Sequence, residues 1–358
     1  AVLIVPYYSV IGGWVIKYLV EYFRGNAKLL AEDGYFTDFI SNGVSTELCF
    51  VAFCAFTLII IFAGVQNGIE RVSKIMMPIL IVLSVIIAVY SVTRPGALAG
   101  VKYFLVPNVK NFSWMTVVSA MGQMFYSLSI AMGILITFGS YMKKDTAIED
   151  STRNVEIFDT GIAIMAGLMI IPAVFAFSGG DPDTLQAGPS LMFITIPKVF
   201  QNMGFGTVIG IVFFLLVLFA AVTSSIALTE SAVSTFEDEL GWGRKKATVL
   251  VGVIMLALGS LSSLGYGPLA GIKIIGMQFL DLFDFLTNSV MMPIAALLTS
   301  LFVSRVVGID KIEAEIIHGE SAFRRKKVFV VMIKYLCPVF AIIILLSSVA
   351  NALGWMKM

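Results

Sequence analysis

Four groups of polar residues lie inside stretches that are otherwise apolar, and their types decide what chemistry they can do. The run Ala220-Ala221-Val222-Thr223-Ser224-Ser225 places three consecutive hydroxyls in the middle of a long hydrophobic segment. A lone helical serine bonds back to its own backbone, but three together also offer uncharged oxygens, the donor type that suits a hard monovalent cation such as Na⁺. Asp159 lies within EIFDTGIAIMAGLMIIPA. A carboxylate in hydrocarbon costs about 2.5–3.5 kcal/mol unless it is paired or solvated. Asp159 is therefore an interfacial acid at a helix start, a cation ligand, or a proton site. Tyr126 to Gly133 (YSLSIAMG) mixes hydroxyls, small residues and glycine. Small residues alone serve close helix packing. The other reading is a helix that unwinds there, freeing carbonyls for a cation and turning a half-helix N-terminus toward an anion. Asp281 and Asp284, three apart, share one helix face and are either a solvated helix end or one side of a gate.

These residues need elements that hold them at depth in a membrane. Of the 358 residues, 58% are hydrophobic and only 13% charged, about half the charge of an ordinary soluble domain. Most of the surface must then face lipid. Apolar stretches long enough to span a bilayer are expected at about 1–23, 47–66, 70–93, 114–141, 155–178, 205–235, 247–264, 275–306 and 328–350. Turn-forming residues such as Gly179-Gly180-Asp181-Pro182 and Tyr266-Gly267-Pro268 separate them. No strand-like alternation is visible, so helices must satisfy the backbone. Fourteen lysines and arginines, among them Lys143, Lys144, Arg244, Lys245 and the run Arg324 to Lys327, fall in one set of alternate loops and eight in the other. The richer set is expected on the cytoplasmic side. The first helix then runs outward. The chain opens inside an apolar stretch with no initiating Met, the pattern expected when an even number of helices, two at the smallest, precedes it.

The same composition argues against other classes. A net charge of +1 gives no reason to expect a nucleic-acid partner. Cys49, Cys54 and Cys337 lack metal spacing, and the single histidine, His318, sits in a charged loop. No nucleophile and base are paired, so an enzyme is not expected. The polar residues gather at one depth and line no continuous path, which disfavours a channel.

Taken in order, VPYYSVIGGW at 5–14, QNGIERVSKIMMPIL at 66–80, GQMFYSLSIAMG at 122–133, PSLMFITIPKVF at 189–200, AAVTSSIALTESAVSTFEDEL at 220–240 and FLDLFDF at 279–285 resemble the neurotransmitter:sodium symporter family, in particular its bacterial amino-acid members. The resemblance covers essentially the whole chain. It implies an all-α polytopic membrane protein of the inverted-repeat amino-acid transporter fold, with the third to eleventh family helices present as nine spans. Residues 1–93 would close the first repeat, 94–306 would be the second repeat of five helices, and 307–358 a cytoplasmic loop and final helix. The implied setting is a multi-pass protein of the plasma membrane, the bacterial inner membrane, with an amino acid and the lipid bilayer as partners and no required oligomer.

The resemblance also implies residue roles. Tyr8 would bond the substrate carboxylate, with Ile4 on the apolar wall. Tyr126 would be an aromatic lid. Ser127 would serve both the substrate and a first sodium site shared with Asp159, where many members have Asn. Ser129 and Ala131 would line an unwound segment, and Met132 a side-chain pocket that Ser224 and Leu228 close. A second sodium site would take the Ala220 carbonyl and the Thr223 and Ser224 hydroxyls. Asp284 would be the outer gate acid, Asp238 the inner one, and Tyr141 would brace the inner gate.

Chloride-dependent members carry Ser four residues after the position of Asp159, and some chloride-independent members an acid. Here it is Ala163, although Gln123, another position of that site, is present. Asp159 itself would supply the negative charge at sodium and make a mobile anion redundant. The expectation is chloride-independent, sodium-coupled symport of neutral hydrophobic L-amino acids, aromatic ones included, since flexible Met132 stands where several relatives carry Phe. The rivals are a proton-coupled or exchange transporter using Asp159, and an amino-acid receptor of the same fold that does not transport.

Overall fold

The computed structural model describes residues 1–181, 185, 188–320 and 322–352; Pro182 of the expected break and Lys357 of the charge pattern lie outside them. The main helices are α1 (Ile4–Phe23), α2 (Gly43–Phe62), α3 (Val65–Val92), α4 (Trp114–Ser127), α5 (Ile134–Ser140), α6 (Ile148–Ser178), α7 (Gly206–Leu240), α8 (Arg244–Leu264), α9 (Phe279–Val307), α10 (Ile309–Gly319) and α11 (Lys326–Asn351). Every expected span contains helix, but only seven helices among the described residues are long and apolar enough to cross a membrane. The expected count of nine is not reached. In α1, Lys17, Glu21 and four tyrosines dilute the apolar character. The span 114–141 is divided between α4 and α5. The loops also hold short helices not read from sequence, including α10 in the stretch after α9.

The chain forms two compact units. One comprises Ala1, Val109–Thr160 and Asp281–Met358, the other Val2–Asn108 and Gly161–Leu280. In the second unit, α1 packs against α2, α7 and α8. The glycine pair of VPYYSVIGGW sets how closely: a Cβ on Gly13 would lie 2.7 Å from the Phe50 backbone nitrogen, and one on Gly12 2.5 Å from the Phe53 ring. Further along α1, Trp14 and Tyr18 enter an aromatic cluster. Phe193 stacks on Phe36 at 5.2 Å between ring centres, and Tyr18 stacks on Phe214 at 5.2 Å. The Tyr18 hydroxyl donates to the Phe193 carbonyl at 2.7 Å. Buried hydroxyls need such partners, and this one ties α1 to the 191–201 helical segment, which carries the PSLMFITIPKVF motif.

In the first unit, α9 and α11 are joined by Ser300 Oγ donating to the Ile333 carbonyl at 2.6 Å, and α4 packs on α11. The start of α6 is held by a reciprocal clasp. Glu320 Oε1 accepts from the Glu149 backbone N–H at 2.6 Å, supplying a carboxylate to orphan donors of a first helical turn. Glu149 in turn accepts from the Arg324 and Arg325 backbone N–H groups at 2.9 and 3.1 Å, and Arg325 Nη1 donates to Glu156 at 2.8 Å. This clasp fixes the turn of α6 that leads to Asp159.

Candidate functional site

The expected site residues fall into two sets. Tyr126, Ser127, Ser129, Ala131, Met132, Tyr141, Asp159 and Asp284 belong to the first unit, and Ile4, Tyr8, Ala220, Thr223, Ser224, Leu228 and Asp238 to the second.

In the first unit the helix of residues 114–140 breaks. Ser129 (φ 54°), Ala131 (φ 62°) and Gly133 (φ 84°) hold left-handed backbone. That conformation costs a non-glycine residue roughly 1–2 kcal/mol and cannot propagate a right-handed helix. Turn bonds replace the ladder: Ser129 N donates to Tyr126 O at 3.1 Å and Ile130 N to Phe125 O at 2.9 Å. Gly133 then caps α5. Tyr126 and Ser127 remain in the last turn of α4, so the break begins one turn later than the sequence segment that points to it.

Beside the break, Ser127 Oγ donates to Asp159 Oδ1 on α6 at 2.5 Å. Ser127 is exposed and Asp159 half-buried. A carboxylate and a hydroxyl that close have oxygen lone pairs to turn on a cation once the hydroxyl proton points away. Met132, the expected pocket residue, is 6% exposed. Tyr141 follows α5, its ring edge-on to Phe138 at 6.1 Å. On α9, Asp284 is half-buried and accepts from Asn288 Nδ2 at 2.5 Å, one turn on, while Asp281 is exposed.

In the second unit α7 is continuous, and its three hydroxyls take three different partners. Thr223 Oγ1 lies 3.0 Å from both the Phe219 and Ala220 carbonyls, which places two of the expected sodium oxygens side by side. Ser224 is hydrogen-bonded to the Tyr8 hydroxyl. Ser225 is fully buried and receives Thr57 Oγ1 of α2 at 3.2 Å, so it joins helices. Leu228 follows Ser224 by one turn and Ile4 precedes Tyr8 by one turn; both are buried. The helices α1 and α7 pack on each other, with Ile4 and Leu228 buried, Tyr8 half-buried and Ser224 exposed. Asp238 is exposed near the end of α7.

The structure adds a pair that the sequence reading passed over. Glu230 on α7 is fully buried and receives both terminal nitrogens of Arg244. Its signal was present as an acid six residues after Ser224 in an apolar run, within the very motif quoted for the resemblance.

Residues 21–356 match the model of the Sodium:neurotransmitter symporter family. The chain belongs to that family. The symporter is 34% identical over 351 residues to a protein of Bacillus subtilis (strain 168) described as uncharacterized sodium-dependent transporter YhdH, covering 97% of this chain and 77% of that one. It is 31% identical over 356 residues to a sodium-dependent transporter of Haemophilus influenzae, covering 96% of this chain and 76% of that protein. Among solved structures, that of MhsT in complex with L-phenylalanine superimposes with a TM-score of 0.83 at 34% identity, covering 97% of this chain and 78% of MhsT. The chain is accordingly a multi-pass membrane protein of a family of sodium-dependent symporters, not an enzyme.

Proposed function

We propose that this symporter couples sodium entry to uptake of neutral hydrophobic L-amino acids, aromatic ones included, across the plasma membrane by alternating access and without chloride. The observation that carries this reading is the Ser127–Asp159 contact beside the helix break. It puts a carboxylate and a hydroxyl next to backbone that no longer follows the helical ladder. A permanent negative charge beside bound sodium supplies what a mobile chloride would otherwise supply, and Ala163 offers no replacement anion. In the second unit, the adjacent Ala220 and Thr223 oxygens suit a second sodium, and the Tyr8–Ser224 hydroxyl pair suits a carboxylate. In the first unit the buried, flexible Met132 suits a side chain without charge, and in the second unit so do the buried, apolar Ile4 and Leu228. The L-phenylalanine held by MhsT supports an aromatic substrate. Asp284 would be the outer gate acid with Tyr126 the aromatic lid, and Asp238 would be the inner gate acid. The membrane potential would add about 2.3 kcal/mol per charge per 100 mV to the sodium gradient. The repeat boundaries at 93 and 306 belong to the same proposal.

The test is uptake of labelled phenylalanine and leucine by the full-length protein in proteoliposomes, with external sodium or potassium, and with chloride or gluconate. Uptake that needs sodium and ignores chloride is expected. Uptake driven by a pH gradient without sodium would move the reading to proton coupling through Asp159. Sodium-dependent binding with no uptake would make the protein a receptor.

A further inference from the structure

Three cations of the first unit have no part in the transport reading. Arg305 lies near the end of α9, and Lys327 and Lys334 lie on α11. All three are exposed, and among the described residues none of them forms an ion pair. Lys334 is eight residues past Lys326, the first residue of α11, so its backbone lies about 12 Å along a span. A charge at that depth is costly unless its long side chain reaches the interface and finds an anion there.

The two helices run antiparallel: Phe302–Val307 touches Met332–Leu336, while Phe285–Met291 touches Cys337–Ala352. They meet where Ser300 Oγ donates to the Ile333 carbonyl at 2.6 Å. Going forward from such a contact, two antiparallel right-handed helices wind toward the same flank. Lys334 follows the contact by one residue, about 100° round α11. Arg305 follows it by five residues on α9, which an α-helix would carry about 140° round. The segment Phe302–Val307 is a π-helix, with more residues in each turn, and that brings Arg305 back toward α11. Lys327, seven residues before Lys334, shares its flank.

The adjoining acids are Asp310, Glu313 and Glu315 of α10, and Glu313 is taken by Lys326 at 2.5 Å. The flank is therefore cationic where two spans end. Phe302 and Leu298, three and seven residues before Arg305, continue its face of α9 into the bilayer and are 55% and 59% exposed. We propose that Arg305, Lys327 and Lys334 form a binding site for an anionic phospholipid, its phosphate between the guanidinium and the Lys334 ammonium and one acyl chain along Phe302 and Leu298. A zwitterionic lipid brings its own cation to three others, whereas a lipid of net negative charge does not.

The full-length protein is reconstituted in vesicles of equal parts phosphatidylglycerol and phosphatidylcholine. It is then extracted in mild detergent at low salt, and the retained lipids are quantified by mass spectrometry. Phosphatidylglycerol is expected to be enriched about fivefold, the scale of one basic residue at an anionic surface, and high salt should remove most of the preference. Lys334→Met, which sets an apolar side chain on an exposed position of a span, should bring the enrichment close to unity, and Arg305→Gln should do the same. Lys334→Arg should retain it. Lys245→Gln, which removes one exposed charge from the second unit, should leave it intact. Melting temperatures show which variants are folded, and Lys334→Met and Arg305→Gln are independent tests. Equal retention of the two lipids by the parent, enrichment that persists in the folded Lys334→Met and Arg305→Gln proteins, or an equal loss in Lys245→Gln overturns the proposal. Displacement of the retained lipid by equimolar glycerol phosphate would show a small phosphate to be the occupant, and would overturn it as well.

Discussion

Arg244, the first residue of α8, folds back on Glu230 of α7 with both terminal nitrogens, Nη1 to Oε1 at 3.0 Å and Nη2 to Oε2 at 2.5 Å. Its Nε donates to the Ile61 carbonyl of α2 at 3.1 Å, and Glu237 stands 3.7 Å from Nη1. Three helices therefore meet on one guanidinium, whose fork matches a carboxylate. Glu230 is fully buried, so removing its partner strands a charge. Arg244→Ala is expected to destabilise the protein by about 3 kcal/mol. Glu230→Leu combined with Arg244→Met should cost clearly less, because no charge is left behind. Melting temperatures of the two proteins in detergent check this order; an Arg244→Ala protein as stable as the parent would refute it.

Asp159→Asn keeps the shape and the hydrogen bond to Ser127 but removes the charge. If Asp159 faces sodium, the sodium concentration for half-maximal uptake should rise about tenfold or more, the scale of one lost charge interaction. Supplying chloride should then stimulate uptake that chloride leaves unchanged in the parent. Sodium titrations of both proteins in chloride and in gluconate decide it.

Among the described residues Thr223 Oγ1 bonds only within its own helix, to the Phe219 and Ala220 carbonyls. Thr223→Ala should therefore leave stability within about 0.5 kcal/mol of the parent. It should weaken sodium-driven uptake, and Thr223→Ser should restore it. Ser225→Ala should behave in the opposite way, lowering the melting temperature through the lost Thr57 contact, with sodium dependence unchanged.

Gly13→Leu would force a side chain into the Phe50 backbone, which a helix cannot withdraw. Overpacking of this kind costs about 1–3 kcal/mol, and the backbone contact puts the change at the upper end. Gly139→Ala, which meets nothing within 4 Å, should be neutral or stabilising. A melting comparison of the two variants separates close packing from glycine content as such.

Asp33, in the loop after α1, is paired with Lys198, and that ammonium pulls its carboxyl below the ordinary value of 3.8. A carboxyl lowered by folding contributes stability above its unfolded value and loses it as the pH falls through the folded one. The loop should thus hold unchanged from neutral pH down to about 4 and loosen below. The group is fully exposed, so the effect should be small and removed by salt. Hydrogen exchange of residues 31–35 at pH 5 and pH 3 measures it, and Lys198→Gln should erase the difference.

Much of the architecture was legible because lipid imposes long apolar helices. Hence each expected span contains helix, and for the segment Tyr126 to Gly133 a break was one of two readings that its hydroxyls and glycine allowed, the other being close helix packing. Its position was less legible. Tyr126 and Ser127 prolong α4, because a turn ends where the backbone first turns left-handed, at Ser129, and that follows from neighbours rather than residue type. The first helix is also less clearly transmembrane by composition, since α1 carries charge and tyrosines, several of them buried in the packing of the second unit.

The sequence by itself determined residue types and depth: an oxygen-rich stretch on α7, an acid at 159, and a glycine pair on α1. Only the tertiary structure decided which partner each group meets. Thr223, Ser224 and Ser225 are chemically near-identical neighbours, yet one bonds its own helix, one meets Tyr8 and one meets Thr57. Successive helical side chains point about 100° apart, so adjacent hydroxyls face different helices. The same reason hid Glu230: an acid in an apolar run has no visible partner until the chain turns at Gly241 and brings Arg244 back against it.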